Sequence, residues 1–80
     1  MAQRTLGTKS LDQIFKVVPS LVGLPIHRLW TDYDSEADVL YLSFERPQQA
    51  TDSVMRDDGV LLRYRGKKLV GMTVFEASKR

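Results

Sequence analysis

An α+β domain is what this sequence predicts, a short N-terminal helix packed on an antiparallel β-meander of four to five strands. Three observations predict it. Apolar residues recur at helical spacing between Leu11 and Val18, and from Ile26 onward they alternate or run in short stretches rich in β-branched and aromatic residues. Turn chemistry separates those later stretches, at Asp34-Ser35-Glu36, at Asp57-Asp58-Gly59 and at Arg65-Gly66-Lys67.

The helix comes first. Residues Met1 to Thr8 are polar and expected to fray. Ser10-Leu11-Asp12-Gln13 reads as a capping box, with Asp12 in the first turn where a carboxylate favours the helix dipole. Leu11, Ile14, Phe15 and Val18 then form one apolar stripe. Pro19 disfavours αR geometry in the residue before it, so the helix should stop near Val18, a kinked continuation to Val22 being the alternative. Gly23 and Pro25 close the segment.

Ile26 to Tyr33 is the first strand, with Leu29, Thr31 and Tyr33 on one face and Arg28, Trp30 and Asp32 on the other. Asp34 can accept a hydrogen bond from the amide two residues on, which makes Asp34 to Asp38 a turn. Val39 to Phe44 follows as an interior strand, Val39 and Tyr41 facing one way and Leu40, Leu42 and Phe44 the other. After a loop at Arg46-Pro47-Gln48-Gln49, Thr51 to Met55 reads as a short polar strand at or near a sheet edge. Gly59 supplies the positive φ of a hairpin turn. Val60, Leu62 and Tyr64 alternate with Leu61 and Arg63, and Lys68 to Phe75 forms the last strand, with Val70, Met72 and Val74 on one face. Glu76 to Arg80 starts one helical turn or trails.

The domain boundaries follow: residues 1–28 are an extension carrying the helix, and 29–80 the β-meander. A chain of 80 residues has room for one small core. It has no cysteine, which excludes a disulfide scaffold and a thiolate metal site, so oligomerisation is the remaining way to add stability. The apolar run from Ile14 to Leu29 is interrupted by Lys16, Pro19, Pro25 and Arg28, so it reads as neither a signal peptide nor a membrane span. The expected compartment is the cytoplasm.

One pattern carries a resemblance. Tyr33-Asp34-x-Glu36-Ala37-Asp38-x-Leu40-Tyr41, then Asp58-Gly59-Val60, then Leu69-Val70-Gly71, ending in Ala77-Ser78-Lys79-Arg80, resembles the family catalogued as domain of unknown function 2283. The resemblance covers Leu29 to Arg80. It departs at Ser35, where proline is common, and in residues 1–28, which extend beyond the usual start. It implies a small bacterial or archaeal β-meander protein without an established activity. Some members are encoded beside small toxins of the ribonuclease-toxin superfamily, which implies a partner or antitoxin role.

Charge is segregated along the chain, +3 over residues 1–28, −6 over 29–58 and +5 over 59–80. In a meander, alternate turns share an end. The turns at Asp34 to Asp38 and at Asp57-Asp58 should therefore form an acidic tip, opposite a basic tip at Arg46 and Arg65 to Lys68. The basic tip should also gather Lys79 and Arg80. The expected function is protein–protein interaction, with a small basic protein or a second copy as partner. Asp34, Glu36, Asp38 and Asp58 are the candidate contacts for a basic partner, and Trp30 and Phe15 the apolar anchors if a sheet face is left open. The alternative is nucleic-acid binding through Arg63, Arg65, Lys67 and Lys68. A divalent cation at the acidic turns is the weaker reading, because the spacing is no EF-hand. The lone His27 lacks companion ligands or a nucleophile and reads as structural. Turn-tip carboxylates are too wet for tuned acid/base chemistry, so no enzymatic activity and no cofactor are expected.

Overall fold

A computed structural model describes residues 7–80. The fraying expected of Met1 to Thr8 falls outside the described residues up to position 6, and Thr8 itself opens the helix. The elements in order are α1 (Thr8–Val22), β1 (Trp30–Asp34), β2 (Val39–Ser43), β3 (Asp52–Met55), β4 (Val60–Arg65), β5 (Lys68–Phe75) and a 3-10 turn at Ala77–Lys79. The fold is α+β. Among the described residues no helix is long and apolar enough to cross a membrane.

The five strands form one antiparallel sheet in the order β1-β2-β5-β4-β3. Chain order is broken once: β2 pairs with β5 instead of β3. The longest strand, with Leu69, Val70, Met72, Val74 and Phe75, thereby takes the centre of the sheet, while the polar β3 takes an edge, as its composition requires. Residues 44–51 carry the chain from β2 past β5 and β4 to that edge.

The registers sort the side chains into two faces, and the alternation read from the sequence holds. One face consists of two cross-strand rows, Tyr33-Leu40-Val74-Val60 and Thr31-Leu42-Met72-Leu62-Val54. The opposite face carries Asp32-Tyr41-Thr73-Leu61-Met55 and Trp30-Ser43-Gly71-Arg63-Ser53. Burial is sparse on both. Val70 (0% exposed), Val39 (6%) and Thr73 (7%) are buried together with Gly71, and Val70 is the one fully buried large side chain among the described residues.

The helix differs from expectation in three ways. It begins before the Ser10 box: Gly7 is the N-cap, its carbonyl accepts the Leu11 amide at 3.1 Å, and no side chain caps the end. Starting there adds a backbone-bonded turn and places Ser10 and Asp12 inside the helix. It also runs through Pro19 to Val22, because a proline removes a single donor and its neighbours keep the ladder, ending with the Gly23 amide on the Pro19 carbonyl at 3.1 Å. Most consequentially, the stripe is not packed on the sheet. No residue of α1 is buried, Phe15 being 65% and Val22 78% exposed, and the closely packed element pairs are all strand on strand.

Candidate functional site: an uncovered apolar face

The acidic turns show what the charged motif residues do locally. Asp34 Oδ1 accepts the amides of Glu36 (3.1 Å) and Ala37 (3.2 Å), the turn expected of it. Asp38 closes the turn at φ +56, a left-handed conformation that aspartate tolerates. Its carboxylate is then shared by three donors: the Tyr33 hydroxyl at 2.6 Å on Oδ1, the Ser78 amide at 2.9 Å on Oδ1, and the Ser78 hydroxyl at 2.7 Å on Oδ2. The Tyr33 and Ser78 hydrogen bonds hold the Asp38 carboxyl below the usual carboxylate range. Losing that bond on ionisation raises the Tyr33 hydroxyl above its ordinary value. With Ala77 donating to the Asp38 carbonyl at 3.0 Å, this cluster fastens the C-terminus to the β1-β2 turn.

Both acidic turns do share one end, since Phe75 donates to the Gly59 carbonyl at 3.1 Å while Ala77 and Ser78 reach Asp38. The C-terminal residues lie between them. Lys79 and Arg80 therefore belong to the acidic end, which corrects their expected place in the basic tip. The Arg80 guanidinium donates to the carbonyls of Phe75 (2.8 Å) and Gly59 (3.3 Å), which the topology offers there and nowhere near the opposite turn. Asp58 pairs with Arg56 at 3.1 Å. Of the acidic candidates, Asp34 and Asp38 are thus engaged in turn and tail, Asp58 in an exposed ion pair, and Glu36 shows no side-chain partner among the described residues. Among the described residues no three carboxylate, imidazole or thiolate groups are placed to hold a metal ion.

The opposite end is basic but internally paired. Lys68 Nζ (2.9 Å) and Arg65 both bridge to Glu45, whose carboxyl is lowered by the Lys68 hydrogen bond and the neighbouring Arg65 charge. Arg63 Nε donates to Gln48 Oε1 at 3.0 Å, and Arg65 to the Gln48 carbonyl at 3.4 Å. Of Arg63, Arg65, Lys67 and Lys68, only Lys67 shows no partner among the described residues. Gln48, which pattern reading missed, is the hub: its Nε2 also donates to Ser43 Oγ at 2.7 Å. Its amide lies on Gly71, where a Cβ would overlap it. The 44–51 crossing can hug the sheet because position 71 has no side chain.

The two apolar anchors separate. Trp30 is half-buried on the face the crossing loop covers, in a 460 Å³ cleft with Phe44, Glu45, Arg46, Pro47 and Lys68. Phe15 stands on the exposed stripe. The open sheet face is the other one, where Val70 is buried but none of Thr31, Tyr33, Leu40, Leu42, Val54, Val60, Leu62, Met72 and Val74 is. A 430 Å³ groove between Leu21, Val22 and Leu24 on one side and Leu29 and Thr31 on the other joins the helix end to the rim of that face. Two complementary apolar surfaces, a helix stripe and a sheet face, are thus presented side by side.

The model of the family described as "Protein of unknown function (DUF2283)" matches residues 30–78. The chain belongs to that family. The match starts at the first residue of β1 and ends at Ser78, which bonds to Asp38, so it spans the sheet and its C-terminal clasp and leaves α1 outside. No curated protein and no solved structure matches the chain. The resemblance read from the sequence is borne out, and the motif residues that carried it acquire structural reasons: Asp34 forms the turn, Asp38 and Ser78 the clasp, Gly59 a φ of +80, and Gly71 the loop crossing.

Proposed function

We propose that this protein is a protein–protein interaction module whose binding surface is the open apolar sheet face together with the stripe of α1. The observation that supports it is a sheet face on which nine residues, apolar except for the Thr31 and Tyr33 hydroxyls, are left unburied around the single buried Val70, beside a helix without a buried member. A protein of this size does not keep such area wet without a use for it, because burial of apolar surface is the main driving force of folding and association. The reading shifts the work from the acidic turns to the apolar face, since Asp34 and Asp38 are occupied in hydrogen bonds within the chain. Nucleic-acid binding gains no comparable support, with Arg63, Arg65 and Lys68 engaged by Gln48 and Glu45.

The test is covalent carbene footprinting of the full chain at 1 μM. The proposal expects strong labelling of Leu11, Phe15, Leu42 and Leu62 when the chain is dilute. Protection of all four at that dilution, with the chain monomeric, would mean that the helix lies on its own sheet, and no apolar binding surface would remain.

A further inference from the structure

We propose that the occupant of this surface is a second copy of the chain, with α1 of each protomer laid across the open sheet face of the other. This rests on the interaction reading above and names its partner. The area argument comes first. The chain exposes 6806 Å², whereas a compact monomer of 9.1 kDa exposes about 4,900 Å². The surplus exceeds the ~800 Å² per partner that a specific interface buries. Exchange of the helices covers both exposed surfaces at once, and a two-fold arrangement closes without leaving a free copy of either.

Size and direction agree with exchange. The fifteen-residue helix is about 22 Å long, and five strands span about 19 Å between the outer axes, so one helix crosses one face. Leu11, Phe15, Val18 and Val22 share its apolar side, and the sheet rows offer leucine, valine and methionine to receive them. The last turn of α1 meets the β1 rim at the Leu21-Leu29 groove, and the Leu24 amide on the Leu21 carbonyl at 3.2 Å continues its direction past Val22. Residues 23–29 span up to about 25 Å, enough to carry the exchange without strain.

Light scattering of the full chain at 100 μM tests this, with Phe15→Glu, Val18→Glu and Val17→Glu beside it. The first two substitutions lie on the stripe; Val17 points away from its centre and serves as the control. The expected mass is twice 9.1 kDa for the wild type and for V17E, and a mass shifted toward one chain for F15E and V18E, with dimerisation weakened on the order of 30-fold. Because these side chains are exposed within one chain, sheet circular dichroism should survive. A monomeric wild type at 100 μM overturns the exchange, as does a dimer equally indifferent to all three substitutions. A monomer whose stripe and face still label in the footprint overturns the second copy alone and leaves the interaction reading in place. A monomer with both protected removes both.

Discussion

Gly71→Ala should be far more damaging than a surface-strand alanine has any right to be. The new Cβ falls on the Gln48 amide, so the side chain must lift from the sheet and release Ser43 Oγ and Arg63 Nε. Two hydrogen bonds at about 1 kcal/mol each set the cost at about 2 kcal/mol. For a chain of this length that corresponds to a fall in Tm of about 8–16 °C. The mechanism, rather than the cost, is what a double-mutant cycle isolates. In a Gln48→Ala background the three atoms nearest the added methyl are gone, so Gly71→Ala should be neutral or gain up to about 1 kcal/mol from the lower backbone entropy of alanine. The coupling between positions 48 and 71 should therefore approach 2 kcal/mol. Urea unfolding followed by circular dichroism and by the fluorescence of the single tryptophan, at one fixed chain concentration, measures all four variants. Equal costs of Gly71→Ala in both backgrounds would refute the account of the crossing loop.

Other outcomes follow from the same contacts. Asp38→Asn should loosen the C-terminus without unfolding the sheet, seen as faster hydrogen exchange at Ala77 and Ser78, since the Ser78 hydroxyl and amide lose their charged acceptor. The pH dependence has a definite sign: Asp38 and Glu45 titrate below their unfolded values, so the stability they contribute is present above about pH 4 and is lost as pH falls through the folded values. The Tyr33 hydroxyl, raised in the fold, contributes stability that is lost as pH climbs above about 10, and both limbs should show in a pH series of urea midpoints, with D38N flattening the acid one. Gly59→Ala, at φ +80 with Arg80 Nη2 at 2.7 Å from the added carbon, should cost about 1–2 kcal/mol and free the Arg80 side chain. Fluorescence anisotropy with single- and double-stranded oligonucleotides at 50 mM salt should show no salt-steep binding; a steep salt slope abolished by Lys67→Glu would restore the basic-tip reading.

What the sequence revealed was what depends on neighbours in sequence. The Asp34 turn, the two faces of Val39 to Ser43 and the shared face of Val70, Met72 and Val74 follow from local chemistry and period-two alternation. The clasp between Asp38 and Ser78 joins residues forty apart, and nothing local announces it. Gln48 looked like loop polarity because its partners, Ser43, Arg63 and Gly71, come together only when β2 pairs with β5. The misplacement of Lys79 and Arg80 had the same source, since their position follows from where β5 ends. Trp30 was assigned to the correct face of its strand, but which face stays open depends on the loop crossing. Ser10 matched a capping pattern and was overridden by a helix that gained another bonded turn from Gly7.

The family match spans the sheet and its clasp and stops short of α1. The proposed exchange of helices would account for the few side chains that are buried within one chain among the described residues.

The most direct measurement is an isotope-filtered NOE experiment on an equimolar mixture of ¹³C-labelled and unlabelled chains. The account predicts cross-peaks between copies, from Leu11, Phe15 and Val18 of one to Leu42, Leu62 and Met72 of the other. Cross-peaks from those helix side chains to the sheet of their own chain alone, or to no sheet at all, would contradict it.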